Sequence, residues 1–238
     1  MNNFNQTQPP KTDFKRSWLL IFILLIALGS LSLASSGFVN KKMGELYQSD
    51  GAFQPVSQGQ IYTTQDQLKI EGANNTWNVF GAAKPKITIV EFGDFTCPYC
   101  QQDFPIVRAM MVKYQDTVKF IYRDRTPTQR SLVLATVAQC AGEQGKFWPM
   151  HDKLFQYQTD SLGDNANTLI DLAKTINLDL DKFRLCLKDQ KYLPKIKQSL
   201  QDSIDLAVNG TPTFYINGQK YQGVLTEENF DAIINELK

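Results

Sequence analysis

Histidine, net charge and cysteine are all scarce in this 238-residue sequence, and each scarcity excludes a class of function. His151 is the only histidine, which leaves little room for histidine-based catalysis. Lysine and arginine number 25 against 24 aspartates and glutamates, so the formal net charge is +1 and no electrostatic field attracts nucleic acid. Four cysteines are too few for a disulfide-rich scaffold, so an apolar core must hold the fold and the cysteines must have another role.

A long uncharged segment near the amino terminus directs the chain to a membrane. Three basic residues precede it, and the uncharged stretch from Ser17 to Asn40 is long enough to span about 30 Å of hydrocarbon. We interpret residues 1–17 as a cytoplasmic tail and residues 18–39 as a transmembrane anchor, with cleavage of a signal peptide near Ala34 as the alternative. Both interpretations place the rest of the chain outside the cytoplasm, where disulfides form and persist.

The remaining chain divides into a polar linker and one α/β domain. Residues 40–75 are rich in Gln, Ser, Gly and Asn without sustained periodicity, which indicates a polar tether with one short helix near Lys42–Tyr47. Residues 76–238 are enough for a single domain with a sizeable core. The elements predicted for it are a buried strand at Ile87–Phe92, a helix that opens at Cys97–Cys100, a strand at Val118–Tyr122, helices over about 127–207, a hairpin at Thr213–Gln222 with an Asn-Gly turn, and a last helix capped by Thr226.

The Cys-x-x-Cys motif at Cys97–Cys100 carries the clearest chemical signal. Such a motif can be a dithiol redox site, half of a zinc site or a coincidence of sequence. A structural zinc ion needs four ligands, and this chain has no second such motif, a single histidine, and widely separated Cys140 and Cys186. We therefore expect no bound metal.

The redox interpretation follows from the position of the motif between a strand and a helix. Cys97 is predicted to lie at the helix N-terminus, where free backbone N–H groups and the helix dipole stabilise a thiolate and lower the pKa of the thiol. Pro98 fits an early helical position and stiffens the loop. Cys97 is therefore the expected attacking sulfur, and Cys100, one turn further in, is the sulfur expected to resolve a mixed disulfide.

Three motifs together resemble those of the DsbA-like thiol:disulfide oxidoreductases of the thioredoxin superfamily. They are the segments Glu91–Cys100, Cys140–Trp148 and Gly210–Gly218, which occur in the family's order with a helical block between the second strand and the hairpin. The resemblance covers about Trp77 to Lys238 and leaves residues 1–75 outside it. It implies a thioredoxin-like fold with an inserted helical domain.

The resemblance also implies roles for particular residues. Pro212 is expected to be cis and to face the motif, whereas an ordinary trans loop proline is the alternative. The backbone at Thr211 is expected to pair with an extended substrate, which would lie beside Pro98 and Tyr99. Glu91 matches a buried acid that accepts the proton of the second cysteine, and a strand residue facing solvent is the other interpretation.

Cys140 and Cys186 fall on the apolar faces of two predicted helices. An even cysteine count in an oxidising compartment favours pairing, and the resemblance implies a structural disulfide between them, with two inert buried thiols as the alternative. Tyr99 departs from the family, since many oxidases carry histidine there. Without an imidazolium beside Cys97 the thiolate is stabilised less, which leaves the direction of electron flow open.

We therefore expect a membrane-tethered, extracytoplasmic enzyme that introduces disulfides into exported proteins. Its redox-active disulfide at Cys97–Cys100 would be its only redox centre, with no further cofactor. Its substrates would be reduced exported proteins, and a membrane quinone-linked thiol oxidase would reoxidise it. A disulfide isomerase or reductase is one alternative, favoured by a motif found mostly reduced in cells. A thioredoxin-fold module that binds peptides or metal is the other, favoured by inert thiols.

Overall fold

A mixed β-sheet forms the centre of the structure. The computed structural model describes residues 54–55, 63–72, 77–159, 162 and 165–238, which belong to one compact unit, Gly51–Lys238. The strands are β1 (Gln54–Pro55), β2 (Val79–Gly81), β3 (Ile87–Gly93), β4 (Val118–Asp124), β5 (Thr213–Ile216) and β6 (Gln219–Gln222), in the sheet order β1-β6-β5-β3-β4-β2. The helices are α1 (Thr64–Glu71), α2 (Pro98–Lys113), α3 (Gln129–Gly142), α4 (Phe147–Gln156), α5 (Ala166–Thr175), α6 (Leu180–Lys188), α7 (Leu193–Asp205) and α8 (Glu227–Glu236).

The predicted membrane segment lies outside the described residues. This applies to the tail at 1–17, the anchor at 18–39 and the short helix near Lys42–Tyr47, which stay predictions. Over the ranges given above, no helix is both long and apolar enough to cross a membrane.

The two buried strands β3 and β4 lie side by side in the middle of the sheet, as the sequence predicts. They pair in parallel, and β5 pairs antiparallel with the other edge of β3. Because side chains alternate along a strand, Ile87 and Ile89 face one core together with Val107 of α2, whereas Val90 and Phe92 face a second core. This alternation puts the side chain of Glu91 on the α2 side of the sheet.

The predicted hairpin is confirmed. Ile216 pairs with Gln219 across a two-residue turn, and both turn residues have positive φ, 47° at Asn217 and 84° at Gly218, as a type I′ turn requires. The Asn217 side chain accepts a hydrogen bond from the backbone N–H of Thr88 at 2.8 Å, which ties the turn to β3. The hairpin therefore extends the sheet on the side of β3 that faces away from β4.

The helical insertion is also confirmed, since α3 to α7 occupy the chain between β4 and β5. Its core contains Leu134, Phe147, Leu154 and Phe183. The last helix of the insertion, α7, contains Pro194 as its second residue. This proline occupies the first turn of α7, where its missing N–H costs no hydrogen bond.

The interpretation of residues 40–75 as a tether is wrong where the structure describes them. Residues 54–55 pair with β6, and α1 is a regular helix. Thr63 and Asp66 form a reciprocal capping box at its start, and Ile70 is buried with β3 and β4 side chains. The guanidinium of Arg123 donates to the carbonyls at the end of α1, which pins the helix to the sheet. A single buried isoleucine and a partner distant in sequence leave no periodic signal.

Candidate active site

Cys97 lies at the N-terminus of α2, as predicted. It is the N-cap residue in extended conformation (φ −83°, ψ 122°), and Pro98 is the first residue of the helix. The backbone N–H of Cys97 donates to the Asp94 carbonyl at 3.0 Å, and the Cys97 carbonyl accepts from the N–H of Gln101 at 3.1 Å. The first-turn N–H groups of the helix therefore point toward the Cys97 sulfur, where they favour negative charge.

The surroundings of Cys97 stabilise its thiolate. A hydrogen bond from the Cys100 thiol is the largest contribution that lowers the pKa of Cys97 to about 6, and partial burial opposes it. Hydrogen bonds from the Thr211 side chain and from the backbone N–H groups of Cys100 and Tyr99 lower the pKa further. As a thiol, Cys97 donates to the Thr211 carbonyl at 3.2 Å. At neutral pH the thiolate is therefore the major form of reduced Cys97.

Cys100 has the opposite character. It is fully buried one turn further into α2, and burial raises its pKa well above the ordinary value of a thiol. Its hydrogen bond to Cys97 and the charge of Glu91 raise the pKa further, while the backbone N–H of Asp94 acts in the other direction. The motif therefore joins a half-buried nucleophile to a buried thiol that keeps its proton.

Glu91 is buried, so the interpretation of a solvent-facing strand residue is wrong. Only 6% of its surface is exposed. It pairs with Tyr122 of β4 on one side and Phe214 of β5 on the other, and it projects toward α2. Burial is the main cause that raises its pKa well above the usual range, followed by the charges of Asp103 and Cys97. Glu91 therefore holds its proton more tightly than an exposed carboxyl does.

The loop before β5 closes the site from the other side. The peptide bond between Thr211 and Pro212 is cis, and the Thr211 carbonyl faces the Cys97 sulfur. Pro212 is buried, and its carbonyl accepts from the N–H of Gly223 at 2.9 Å. Tyr99 is 62% exposed, so its ring is available at the surface next to Cys97. The structure thus brings the predicted site residues together around one sulfur.

The second pair of cysteines lies in the helical insertion. Cys140 of α3 and Cys186 of α6 form a disulfide with an S–S distance of 2.01 Å, where the resemblance places one. His151 is fully buried among the aromatic rings of the insertion, with Nδ1 3.0 Å from a carboxylate oxygen of Asp152. In the part of the chain that the structure describes, no three His, Cys, Asp or Glu side chains are placed to hold a metal ion.

Two side-chain amides that the sequence does not reveal hold the site to the insertion. Gln158, just after α4, donates from Nε2 to the carbonyls of Phe95 at 2.7 Å and Cys97 at 3.2 Å. Gln101 of α2 donates to the Phe155 carbonyl at 2.9 Å. Glutamines at these positions carry no sequence signal, because their partners are backbone carbonyls distant in sequence.

A buried acid on α2 is a further residue that the sequence prediction does not include. Asp103 is fully buried three residues after Cys100, and its Oδ1 accepts from the N–H of Leu225 at 3.1 Å. The sequence does contain a signal for this residue, because Asp103 lies between Cys100 and Val107 on the apolar face of a predicted helix, where a carboxylate is rare.

The protein has a thioredoxin-like sheet with an inserted helical unit, and its Cys-Pro-Tyr-Cys dithiol lies at a helix N-terminus. Together these features define the class of protein. The thioredoxin family model Thioredoxin_4 matches residues 73–236, well over half of the chain. The chain therefore belongs to this family.

Solved structures with the same fold include DsbA-like proteins. The thiol-disulfide exchange protein alpha-DsbA2 from Wolbachia pipientis is 22% identical, with 74% of this chain and 93% of that chain covered and a TM-score of 0.66. BdbD from Bacillus subtilis, in its oxidised form, is 23% identical, with 68% and 92% covered and a TM-score of 0.58. The fold that the resemblance to the DsbA-like thiol:disulfide oxidoreductases implies is thus confirmed.

Curated relatives include much longer proteins. The Na(+)/H(+) antiporter NhaA 3 of Salinispora tropica is 38% identical over 161 residues, which cover 66% of this chain and 24% of that protein. The chain spans about a quarter of the length of the curated relatives that it matches.

Proposed function

We propose that this chain is an extracytoplasmic thiol:disulfide oxidoreductase that transfers its Cys97–Cys100 disulfide to reduced exported proteins. One observation carries the proposal. Cys97 is half-buried with a pKa of about 6, whereas Cys100 beneath it is fully buried with a raised pKa. This asymmetry assigns the exchange with substrate to Cys97 and the closure of the disulfide to Cys100.

The reaction proceeds in two exchange steps. A substrate thiolate attacks the Cys97 sulfur, the bond to Cys100 breaks, and Cys100 leaves as a thiolate that takes up a proton. The buried carboxyl of Glu91 is the acid that supplies this proton. A second substrate thiolate then attacks the substrate sulfur of the mixed disulfide, and Cys97 leaves. A thiol with a pKa of about 6 is a good leaving group, which favours release of an oxidised substrate.

The substrate binds along the loop that faces the motif. The Thr211 carbonyl lies 3.2 Å from the Cys97 sulfur, so an extended peptide whose cysteine reaches Cys97 passes this backbone. Pairing there as an added strand supplies sequence-independent affinity. The exposed side chains of Tyr99 and Pro98 complete the contact surface, and the buried Pro212 follows Thr211 directly in the chain. No cofactor other than the Cys97–Cys100 disulfide takes part.

The location outside the cytoplasm is part of the proposal. The disulfide between Cys140 and Cys186 supports it, because structural disulfides persist in oxidising compartments. The apolar segment at 18–39 supports tethering to the membrane, and the alternative, cleavage of a signal peptide near Ala34, would release the same enzyme. A membrane quinone-linked thiol oxidase then returns the motif to the disulfide.

An isomerase or reductase is the second candidate, and one observation favours it. The pKa of Cys97, about 6, is nearer to the value of about 7 in thioredoxin than to about 3.5 in the strongest oxidant of the superfamily. Tyr99 at the centre of the motif supplies no positive charge to lower it further. This candidate becomes the better one if the reduction potential is low.

The direct test uses the full chain in detergent, fully oxidised, with a reduced peptide that contains two cysteines. We expect the peptide disulfide to form while the Cys97–Cys100 disulfide is lost, one for one. In a Cys100→Ser variant mixed with reduced substrate and oxidant, mixed disulfides should accumulate on Cys97. A Cys97→Ser variant is the matched control and should trap nothing. Trapping at position 100 reverses the assignment, and thiols that do not exchange at all favour the binding module.

A further inference from the structure

Asp103 is a buried carboxyl that the proposed mechanism does not use. It is fully buried, its Oδ1 accepts from the backbone N–H of Leu225 at 3.1 Å, and its Oδ2 has no hydrogen-bond partner among the described residues. Residues three apart lie on one face of a helix, so Asp103 and Cys100 are neighbours on the inner face of α2. An ionised carboxylate in this position is costly, which favours the protonated form.

Glu91 approaches the same helix face from the sheet. It shares its side of β3 with Ile89, which packs in one core with Val107, the residue one helical turn after Asp103. Both carboxyls therefore lie buried at the interface between β3 and α2, on the side of the helix that carries Cys100.

The groups around this pair leave it without a compensating positive charge. Cys97 and Cys100 face it from α2, the buried hydroxyl of Tyr122 from β4, and the Leu225 N–H from the segment before α8. Neither carboxyl forms an ion pair with a lysine or arginine in the described part of the chain. Two carboxyl groups that share an apolar site do not both ionise near neutral pH.

The acidities of the two carboxyls agree with this geometry. Burial raises the pKa of Asp103 to about 8, and the N–H of Leu225 opposes the shift. Burial raises the pKa of Glu91 well above its usual range, and the charge of Asp103 is the next largest cause. Both acids therefore bind protons more tightly than exposed carboxyls do.

We propose that Asp103 is a positioning residue that acts through Glu91, so that the two carboxyls together hold the proton Cys100 takes up during exchange. The inference rests on the proposed function. When a substrate thiolate attacks Cys97, the new sulfur–sulfur bond forms, the bond to Cys100 breaks, and its electron pair stays on the Cys100 sulfur. That sulfur takes the proton of Glu91. Asp103 keeps its own proton, so the new carboxylate does not lie beside a second one.

This arrangement keeps a proton on the pair of carboxyls up to a higher pH. A coupled pair releases its protons in two steps, and the last proton is held more tightly than that of a lone carboxyl in the same site. The rate of exchange, expressed per substrate thiolate, should therefore fall only at alkaline pH in the native protein.

The test replaces Asp103 by asparagine, which preserves Oδ1 as the acceptor for Leu225. We expect the alkaline fall of the exchange rate in Asp103→Asn to begin about one pH unit lower than in the native protein, the size that defines a coupled pair. The pKa of Cys97 should stay at its native value, since Asp103 is not among the groups that shift it. Asp181→Asn, at an exposed acid on α6, is the matched control and should change neither property.

Carbon NMR of the two carboxyl groups in the reduced native protein gives a second measurement that needs neither activity nor a variant. Each carboxyl should titrate in two steps, both above the range of exposed acids. Single, independent titrations, or an Asp103→Asn profile that superimposes on the native one, overturn the proposal and leave Asp103 only as an acceptor for Leu225. A native protein that exchanges no disulfides overturns the proposed function instead, and the NMR titration still decides whether the pair is coupled.

Discussion

The Cys100 thiol should control the acidity of Cys97. Its hydrogen bond is the largest contribution that lowers the pKa of Cys97 to about 6. A hydrogen bond to a charged group contributes about 1.5–3 kcal/mol, and about 1.4 kcal/mol corresponds to one pKa unit. Replacing Cys100 by alanine removes this donor, so the pKa of Cys97 should rise to about 7–8. The thiolate fraction at pH 7 should then fall from about nine tenths to about half or less.

The ultraviolet absorbance of the thiolate across a pH series measures this pKa, and the rate of alkylation by iodoacetamide across the same series checks it. Cys100→Ser is the matched control, because its hydroxyl still donates a hydrogen bond and the rise should be smaller. Cys140 and Cys186 are bonded to each other and do not contribute to the titration. A Cys100→Ala protein that titrates with the native pKa would refute the reasoning and assign the acidity to the helix N-terminus and Thr211.

Three further predictions concern stability and can be measured by denaturant unfolding. Replacing both Cys140 and Cys186 by alanine opens a loop with a sequence separation of 46 and should cost about 4 kcal/mol, while leaving the pKa of Cys97 unchanged. Arg123→Met leaves the carboxylate of Asp202 buried without its partner at 2.6 Å and should cost about 3–5 kcal/mol, most of it recovered when Asp202→Leu is added. Gln158→Met removes the donor from two backbone carbonyls at the active-site loop and should cost about 1–2 kcal/mol, whereas the same change at an exposed glutamine should cost nothing measurable.

The sheet and hairpin could be predicted because their signals are local. Ile87–Phe92 and Val118–Tyr122 are apolar runs of strand length, and Asn217-Gly218 has the residues that a type I′ turn needs. The helix at Thr64–Glu71 could not, because its stability depends on Arg123, whose guanidinium binds carbonyls more than fifty residues away. Contacts of this kind are properties of the tertiary fold and leave no periodic pattern.

The candidate site likewise contains residues that the sequence reveals and residues that it does not. Cys97 and Cys100 are recognisable from their spacing and from the strand before them. Gln158 is not, since it holds the site through backbone carbonyls. Tyr157, just after α4, shows that the residue type alone does not decide burial, because the ring of this aromatic residue is 53% exposed. Burial of an aromatic residue at a helix end depends on which neighbour covers it, which the sequence does not show.

The reduction potential of the Cys97–Cys100 pair, measured by equilibration with glutathione, tests the central claim most directly. The pKa of Cys97 lies between those of the strongest oxidant of the superfamily, about 3.5, and thioredoxin, about 7. We therefore expect a potential between about −120 mV and −200 mV, high enough to oxidise exported proteins. A Tyr99→His variant should have a higher potential still, because the imidazolium stabilises the thiolate. A native value of about −270 mV, as in thioredoxin, would contradict the oxidase assignment and favour the isomerase or reductase.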